Sequence, residues 1–465
     1  MIADLEPYPE YKASGLPWLG QVPGHWDMRP AFGAFVPNHE RNHGMKEKTV
    51  LSLSYGRIVI KPAEKLHGLV PESFETYQIV NPGDIVLRTT DLQNDHISLR
   101  VGMVRDRGII TSAYLALRVN VGVSPEFGFQ FLNVWDTSKA IYGYGSGLRQ
   151  NLDFSHFKRM PVVVPPPFEQ GAIVRFLNWA SGRLDRAMRA KRKVIALLNE
   201  QKQAIIHRAV TRGLDSSVPL KPSGIPWLGD IPQHWEAKRL KAIAQIRYGL
   251  GQPPRETETG LPLIRATNVD QGRILEKNLV RVDPADVPKT RNAFLKAGEI
   301  IVVRSGALTA DSAIISREYE GAVAGYDMVV TVRGARPEFI AIALLSSYVQ
   351  ADQLVIASMR AAQPHLNAEE LGTAIFLLPP DEEQKQIVEF VRNESLPIDA
   401  AITRLEREIE LLREYRTRLV ADVVTGKLDV REAAGRLPYE GPPDMTEDNV
   451  GLSDETEVAD EEIVV

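Results

Sequence analysis

The sequence predicts an α+β fold that is built twice along one chain, with a long helical segment after each copy. Two observations predict it: a 13-residue segment recurs at an offset of 209 residues, and a later segment recurs at an offset of 214. Short runs rich in β-branched residues precede each helical segment and are broken by Gly, Pro, Asn and Asp, as is typical of strands joined by turns. So long a period indicates duplication of a whole domain rather than a solenoid repeat.

The two repeated segments set the domain boundaries. The first reads SGLPWLGQVPGHW at 14–26 and SGIPWLGDIPQHW at 223–235, with nine of thirteen positions identical. The second reads PPPFEQGAIVRFL at 165–177 and PPDEEQKQIVEFV at 379–391. We therefore predict five regions: a first domain at 1–160, a helical segment at 161–215, a second domain at 216–378, a second helical segment at 379–430, and a tail at 431–465.

The helical segments carry heptad patterns. Apolar residues recur every seven positions in both copies, with Lys191 as one basic interruption in the first. This pattern predicts that the two segments pair as a coiled coil. The predicted interface residues are Leu184, Leu198, Ile205, Ile398, Leu405, Leu412 and Leu419. A helix of about 29 residues would be roughly 43 Å long and could act as a spacer. The alternative is that each long helix packs only on its own domain.

Local signals predict that each helical segment is interrupted. Ser181 and Ser395 suit N-caps, and Pro397 suits the first turn of a helix. We therefore expect a short helix and then a longer one in each copy, with breaks near Ser181 and near Ser395–Pro397. Gly213 and Gly426 suit the C-terminal caps of the longer helices.

Composition narrows the class of protein. The chain has 465 residues, no cysteine and a net charge of −5. The absence of cysteine excludes disulfides, thiolate zinc sites and cysteine nucleophiles. The N-terminal residues lack a secretory pattern and no apolar stretch approaches 18 residues, so we expect a cytoplasmic protein that does not enter a membrane.

The charge is unevenly distributed. Residues 440–465 hold ten acidic residues and no Lys or Arg, so the other 439 residues carry a net charge of +5. We expect this acidic tail to be disordered. It would serve as a solubilising segment or compete with nucleic acid for a basic surface.

No catalytic centre or metal site is predicted. PPPF at 165–168 resembles the Pro-Pro-aromatic part of an amino-methyltransferase motif, but Val164 stands where the substrate-binding Asn or Asp would be. No P-loop motif is present. PPDEEQK at 379–385 has an acidic pair and a Lys, yet it opens a helix where acidic residues are favoured. The duplicated pairs His25–Trp26 and His234–Trp235 lie in apolar segments, where packing is more common than metal binding.

Polar, basic loops are the remaining candidates for function. The first domain contains RTTDLQNDHISLR at 88–100, and the second contains RATNVDQGR at 265–273 and RSGALTADS at 304–312. Arg, Asn and Gln can pair bidentately with guanine or adenine edges, and Lys and Arg can hold phosphates. Solvated turns have a similar composition, so the loops alone do not decide between these interpretations.

Over about residues 8–430 the chain resembles the specificity subunit of type I restriction–modification systems. The resemblance rests on the two opening segments, on IRYGLGQPPRETETGLPLIRATNVDQGRI at 246–274, on NPGDIVLRTTDLQNDHISLR at 81–100, and on PPxxEQ followed by a helix ending TRGLD or TGKLD. It implies two target-recognition domains joined by two long antiparallel coiled-coil helices. Each domain would read one half of a bipartite, asymmetric DNA site, and the coil would set the gap.

The resemblance also implies a division of labour. The chain itself would be non-catalytic and hold no cofactor or metal. It would bind double-stranded DNA, two methyltransferase (M) subunits that carry AdoMet, and restriction (R) subunits that use ATP and Mg. The first domain lacks a clear GxxPxR-like turn, which implies a different subtype from the second.

Within the family pattern, the loops that follow the strands map onto specific candidates for DNA contact. These are Arg88, Thr89, Asp91, Gln93, Arg265, Thr267, Asn268, Arg304, Ser305 and Gly306. The polar, basic loops at 88–100, 144–151 and 359–365 add the candidates Asn94, Arg149, Gln150 and Arg360. Two other hypotheses remain open: a self-contained restriction or methyltransferase enzyme, and a duplicated scaffold that mediates protein–protein assembly without reading bases.

Overall fold

The computed structural model describes residues 5–62, 73–90, 92, 99–144, 151–225, 227–288, 292–359 and 364–438. The chain divides into two compact units. The first unit comprises Met1–Arg189 with Ile409–Val465, and the second comprises Ala190–Glu408. Each unit therefore contains one β-rich domain together with part of two long helices. The mixture of helix and strand agrees with the predicted α+β class.

The chain up to residue 212 forms twelve described strands and four described helices. The strands are β1 Tyr11–Ala13, β2 Gln21–Pro23, β3 Asp27–Pro30, β4 Phe35–Pro37, β5 Leu51–Ser54, β6 Arg57–Ile60, β7 Gln78–Val80, β8 Ile85–Leu87, β9 Val101–Met103, β10 Gly108–Ile110, β11 Leu115–Val119 and β12 Pro161–Val164. The helices are α1 Ala31–Ala34, α2 Pro125–Thr137, α3 Phe154–Phe157 and α4 Pro167–Arg212.

The core of the first unit surrounds a four-stranded antiparallel sheet with the order β4-β11-β8-β9. Helix α2 packs against this sheet, and its phenylalanines Phe127 and Phe131 are fully buried. Ser124 starts α2 by accepting a hydrogen bond from the Phe127 N–H, and Pro125 follows in the first turn.

Residues 213–378 form fourteen described strands and five described α-helices, besides short 3-10 helices and a π-helix at Gln350–Val355. The strands are β13 Leu220–Pro222, β14 Asp230–Pro232, β15 Glu236–Arg239, β16 Ala244–Tyr248, β17 Glu256–Thr257, β18 Leu261–Ile264, β19 Val269–Asp270, β20 Arg273–Ile274, β21 Val280–Val282, β22 Ile300–Val302, β23 Ser312–Ile314, β24 Val323–Ala324, β25 Met328–Val332 and β26 Ile375–Leu378. The helices are α5 Leu240–Ile243, α6 Pro337–Leu344, α7 Ser347–Val349, α8 Ile356–Ser358 and α9 Ala368–Thr373.

The second unit contains two four-stranded sheets. The sheet β16-β25-β22-β23 is antiparallel and matches the order of the sheet in the first unit, strand for strand. The other sheet, β17-β21-β18-β24, includes one parallel pair, β18 with β24. Its main counterparts in the first unit are the separate pairs β5–β6 and β7–β10. The two units thus share a sheet and differ in the strands around it.

Each helical segment is one continuous helix, α4 and then α10 at Asp381–Val424, followed by the short α11 at Arg431–Gly435. The predicted breaks near Ser181 and Ser395–Pro397 are therefore wrong. Pro397 removes one backbone hydrogen bond, but the buried seam residues Val391 and Ile398 flank it and hold the helix through the site. The predicted ends are confirmed, because Gly213 and Gly426 follow the helices with positive φ angles of 73° and 78°.

Within each unit, α4 and α10 make ion pairs. In the second unit, Lys191 Nζ lies 2.5 Å from a Glu408 oxygen and Lys202 Nζ lies 2.9 Å from Asp399 Oδ1. In the first unit, Arg416 Nη1 lies 2.6 Å from Asp185 Oδ1. None of the seven predicted interface residues is exposed. Ile398 and Leu419 are buried, and the rest, Leu184, Leu198, Ile205, Leu405 and Leu412, are half-buried.

The end of each long helix also enters the core of a domain from the other half of the sequence. Leu419 and Val423 of α10 lie in the core of the first unit, and Ile206 and Val210 of α4 lie in the core of the second. The alternative in which each long helix packs only on its own domain is therefore wrong.

The repeated sequence segments form a repeated structural clamp. Glu169, at the start of α4, accepts a hydrogen bond from the Trp26 indole at 2.8 Å and lies 2.6 Å from His25 Nε2. Glu383, at the start of α10, contacts Trp235 at 3.1 Å and His234 at 2.6 Å in the same way. The duplicated His–Trp pairs thus contact the starts of the two long helices, which the sequence did not predict.

Candidate nucleic-acid interface

One end of the antiparallel sheet in the second unit holds Arg304, a predicted DNA-contact residue, and the residues that surround it. The strand register places Tyr248 at the end of β16, Met328 at the start of β25 and Val302 at the end of β22 side by side. Residues just beyond these strand ends must therefore meet. They are Arg304, after β22, and the pair Tyr326–Asp327, before β25.

Arg304 is held by aromatic and polar contacts. Its guanidinium carbon lies 4.6 Å from the centre of the Tyr248 ring and 4.3 Å from that of Tyr326. Both distances are in the range of cation–π attraction. Arg304 Nη2 lies 3.0 Å from His365 Nε2. Because arginine can only donate, His365 Nε2 is the acceptor and its proton resides on the other ring nitrogen. We refer to Tyr248, Arg304, Tyr326, Asp327 and His365 as the Arg304 cluster.

Asp327 is the buried member of this cluster. Only 2% of its surface is exposed, and its Oδ1 accepts a hydrogen bond from the Arg304 backbone N–H at 3.2 Å. The backbone N–H of Ala266 also donates to the carboxylate. Asp327 therefore links the two predicted loops, 265–268 and 304–306. Burial raises the pKa of Asp327 to about 6, against the opposing effect of the Arg304 N–H and charge.

Two glycines permit the close approach of these segments. A Cβ on Gly249 would lie 2.2 Å from the Gly325 carbonyl oxygen, and a Cβ on Gly325 would lie 2.9 Å from the Ile264 carbonyl oxygen. The Gly325 N–H donates to that Ile264 oxygen at 2.8 Å. Any larger residue would force the backbones apart. The end of β18, with Arg265 directly after it, is thereby held beside Tyr326.

The loop at 265–268 is arranged around Asn268. Arg265 is half-buried and donates from Nη2 to the Asn278 carbonyl at 3.0 Å, while Thr267 is exposed. Asn268 is 0% exposed, and its amide donates to the carbonyls of Leu275 and Lys277. Its side chain is committed inside the loop and is not available to a base. This corrects the expectation that Asn268 contacts DNA.

The segment 304–306 pairs with the segment that carries His365. Ser305 forms a β-bridge with His365, and the Gly306 N–H donates to the Pro364 carbonyl at 3.3 Å. Gly306 has a φ of 89°, which explains the glycine there. Ser305 and Gly306 are both half-buried, so their surfaces remain partly accessible. Arg360 lies outside the described residues.

The candidates of the first domain are only partly described. Arg88 is half-buried, whereas Thr89 is buried and its carbonyl accepts from the Leu152 N–H at 2.8 Å. Burial corrects the expectation that the Thr89 side chain contacts DNA. Arg100 donates to the carbonyls of Arg88 at 3.3 Å and Thr90 at 2.6 Å, which orders the start of the loop. Asp91, Gln93, Asn94, Arg149 and Gln150 lie outside the described residues.

Sequence reasoning missed four residues of this site. Tyr326 and Asp327 fall in AGYDMVVTVR, which carries the pattern of a strand. Tyr248 ends β16, and His365 follows Arg360 in a loop from which only Arg360 was selected. A tyrosine and a carboxylate directly after Gly325, at the start of a strand, are the signal that could have directed attention to them.

We expect Asp327→Asn to remove a pH dependence of stability. Since the folded-state pKa of Asp327 is about 6 against an ordinary 3.8, folding favours the protonated form. The stabilisation of the folded state by protonated Asp327 is fully present below about pH 4 and is lost as pH rises through about 6. It reaches at most ~3 kcal/mol. Urea unfolding of the full chain between about pH 4 and 7 should show this fall for the natural protein and not for the variant.

A matched control is Asp286→Asn, at an exposed position in the same unit. It should leave the pH profile of the unfolding free energy unchanged. An Asp327→Asn profile with the same fall as the natural chain would show that another group causes it.

Two further features concern absent sites. Among the described residues, no group of His, Asp or Glu is arranged to hold a metal ion. No single described helix is long and apolar enough to cross a membrane; only the bent pair Pro337–Leu344 and Ser347–Ser358 meets the length and composition test. The apolar side chains of α6 lie in the core of the second unit.

Comparison with known proteins gives a consistent result. The family model for the type I restriction modification DNA specificity domain matches residues 232–411. The specificity subunit of type I restriction enzyme MjaVIII from Methanocaldococcus jannaschii is 23% identical over 363 residues, which cover 76% of this chain and 81% of that protein. The EcoKI specificity subunit from Escherichia coli is 21% identical over 287 residues, 60% of each chain.

A solved structure is also similar. A chain from work on complex assembly and conformational transition of the type I R-M system matches with a TM-score of 0.60 and 13% identity. The match covers 88% of this chain and 99% of that chain. At this level of identity the likeness concerns the fold.

Proposed function

Because the chain belongs to the specificity subunits of type I restriction–modification systems, we propose that it selects the DNA site for such a complex. Each recognition domain reads one half of a bipartite, asymmetric site. The long helices set the gap between the halves and dock the methyltransferase and restriction subunits. The chain acts in the cytoplasm and is itself non-catalytic, since methylation and cleavage belong to subunits that carry AdoMet, ATP and Mg.

The observation that carries the proposal is the Arg304 cluster. It lies within the residues that match the DNA specificity domain, and Arg265, which follows β18 of the other four-stranded sheet, lies beside Gly325 next to the cluster. A guanidinium held in one orientation suits bidentate pairing with guanine O6 and N7 in the major groove. A buried carboxylate that ties the two loops together supports such an orientation, because the loops cannot move independently.

Reciprocal ion pairs support the duplication and the coiled-coil spacer. Asp185 and Asp399 occupy equivalent positions at an offset of 214, and so do Lys202 and Arg416. Asp399 pairs with Lys202, and Asp185 pairs with Arg416. The acid of each copy therefore meets the base of the other copy. This is the pattern that an antiparallel pair of duplicated helices would produce.

The heptad seam gives independent support. Lys191 interrupts the apolar seam of α4, and its ammonium is neutralised by Glu408 of α10. A charge at a seam position costs stability but fixes the register of the two helices.

The shared sheet with different surrounding strands is what two domains with different half-sites would require, and it supports assigning 1–160 and 216–378 to two recognition domains.

Arginine substitution tests whether the second domain reads DNA. The full chain is assembled with its methyltransferase partner, and the site is found by mapping methylated adenines in a host that carries both. Arg304→Ala should then weaken binding to that site by about 5- to 150-fold, the equivalent of losing one bidentate base contact of ~1–3 kcal/mol. Arg265→Ala should weaken it in the same direction. Binding is measured by titration of labelled duplexes at fixed salt.

The control is Arg317→Ala. Arg317 is exposed in the same unit, and the neighbouring Ile315 pairs with Gly298 ahead of β22, at the end opposite Arg304. Arg317→Ala removes the same charge as Arg304→Ala and should change DNA binding less than twofold. If Arg304→Ala and Arg265→Ala behaved like the control, the scaffold hypothesis would gain. Methylation of DNA by this chain alone would support the self-contained enzyme instead.

A further inference from the structure

We propose that Tyr326 contacts the C5-methyl group of a thymine, at the base pair next to the guanine that Arg304 reads. The inference rests on the proposed function and extends it to the chemistry of a second base pair. It makes Tyr326 a specificity-determining residue of the second recognition domain.

Exposure separates Tyr326 from its neighbour Tyr248. Tyr326 is 49% exposed, and its hydroxyl makes no hydrogen bond within the described part of the chain. Tyr248 is 36% exposed, and its hydroxyl accepts the Ala368 N–H at 2.9 Å, at the start of α9. Tyr248 and His365 already hold Arg304 on other sides. Arg304 thus has two other supports besides Tyr326, and the Tyr326 ring is the more exposed of the two tyrosine rings.

The distance between Arg304 and the Tyr326 ring is comparable to one step between stacked base pairs. The Arg304 guanidinium carbon lies 4.3 Å from the centre of the Tyr326 ring. Successive base pairs in B-DNA are about 3.4 Å apart along the axis. When Arg304 lies in the plane of one base pair, the ring of Tyr326 lies near the level of the next.

The chemistry of the ring selects the contact. The major groove presents hydrogen-bonding groups at every base pair, and the C5-methyl group of thymine is its largest apolar group. The Tyr326 ring cannot hydrogen-bond the edge of the base pair that it faces, so covering polar groups there would leave them unpaired. Covering a methyl group instead removes apolar surface from water, which is favourable. The predicted reading is therefore a guanine with an adjacent A·T pair.

Deoxyuridine substitution tests the contact, because it removes only the methyl group. The full chain with its methyltransferase partner is titrated with duplexes in which each thymine of the mapped site is replaced in turn. For the natural chain and for Tyr326→Phe, one substitution should weaken binding about fourfold, the value of one buried methyl group. Tyr326→Ala should bind the thymine and deoxyuridine duplexes equally. The half-site read by the second domain is the one in which replacing a guanine weakens binding of the natural chain but not of Arg304→Ala.

Thymines of the other half-site provide the control, since their effects should be the same in all three proteins. If Tyr326→Ala unfolds, Tyr326→Gln keeps the bulk without the ring and should also lose discrimination. The inference is overturned if the half-site has no thymine, if no deoxyuridine substitution in it matters, or if Tyr326→Ala still discriminates. Failure of the natural complex to bind any split site would instead overturn the proposed function.

Discussion

Glu169→Ala is expected to lower the free energy of unfolding of the first unit by about 3–5 kcal/mol, the cost of breaking a buried ionic network from one side. The carboxylate is 0% exposed. It accepts from Trp26 Nε1 and from the Tyr8 hydroxyl at 3.2 Å, lies 2.6 Å from His25, and lies 3.6 Å from Arg431. Alanine would leave these donors facing a buried void. Burial, and then the proximity of Glu169, raise the pKa of Tyr8, so its phenol stays a donor at neutral pH.

The duplication supplies the matched control, Glu383→Ala. The Glu383 side chain is 23% exposed, and its described partners are His234 and Trp235. Water can therefore replace part of what is lost, and we expect a cost of about 1–2 kcal/mol. Hydrogen exchange of the full chain should show lost protection at 21–26 and 427–437 in Glu169→Ala and only a modest change at 230–235 in Glu383→Ala. Equal losses of protection in the two variants would mean that the difference in burial between Glu169 and Glu383 does not set the cost of removing the carboxylate.

The clamp also shows what sequence reasoning could reach. The repeated His–Trp and Glu–Gln segments were found as repeats, because identity at a fixed offset needs no structure. Their contact was not predicted, since 143 residues separate Trp26 from Glu169 and no local rule joins such positions. The helix breaks were wrong for a related reason: caps and Pro397 are local signals, whereas the burial of Val391 and Ile398 is a tertiary effect that outweighs them.

At the candidate interface, segments were predictable and individual side chains were not. Arg304 and Arg265 lie just after strands, where the β-like pattern stops, and the structure brings these ends of two different sheets together near Gly325 and Asp327. Asn268 has the right chemistry for reading adenine, yet its amide turns inward to close its own loop. Whether an amide faces inward depends on the loop backbone, which composition does not specify. Tyr326 and Asp327 were missed because their segment resembles a plain strand.

Insertion of one heptad into each long helix is expected to abolish binding to the natural site and to create binding to a site with a longer gap. Seven residues add about 10 Å of helix, which corresponds to about three base pairs at 3.4 Å each. The insertions belong between Arg189 and Ala190 and between Glu408 and Ile409, where both unit boundaries fall. Binding of the assembled complex is measured on duplexes whose gap varies one base pair at a time.

The reason for expecting a shift rather than a loss of all binding is that a full heptad preserves the seam. The pair Asp185–Arg416 remains on one side of the insertions, and Lys191–Glu408 and Lys202–Asp399 remain on the other. An insertion in α4 alone is the control: it moves one seam past the other, separates at least one set of these pairs, and should leave no gap that binds well. A complex that keeps the natural gap after the double insertion would show that the helices do not set it. In that case the half-site spacing would have to be imposed by the methyltransferase subunits.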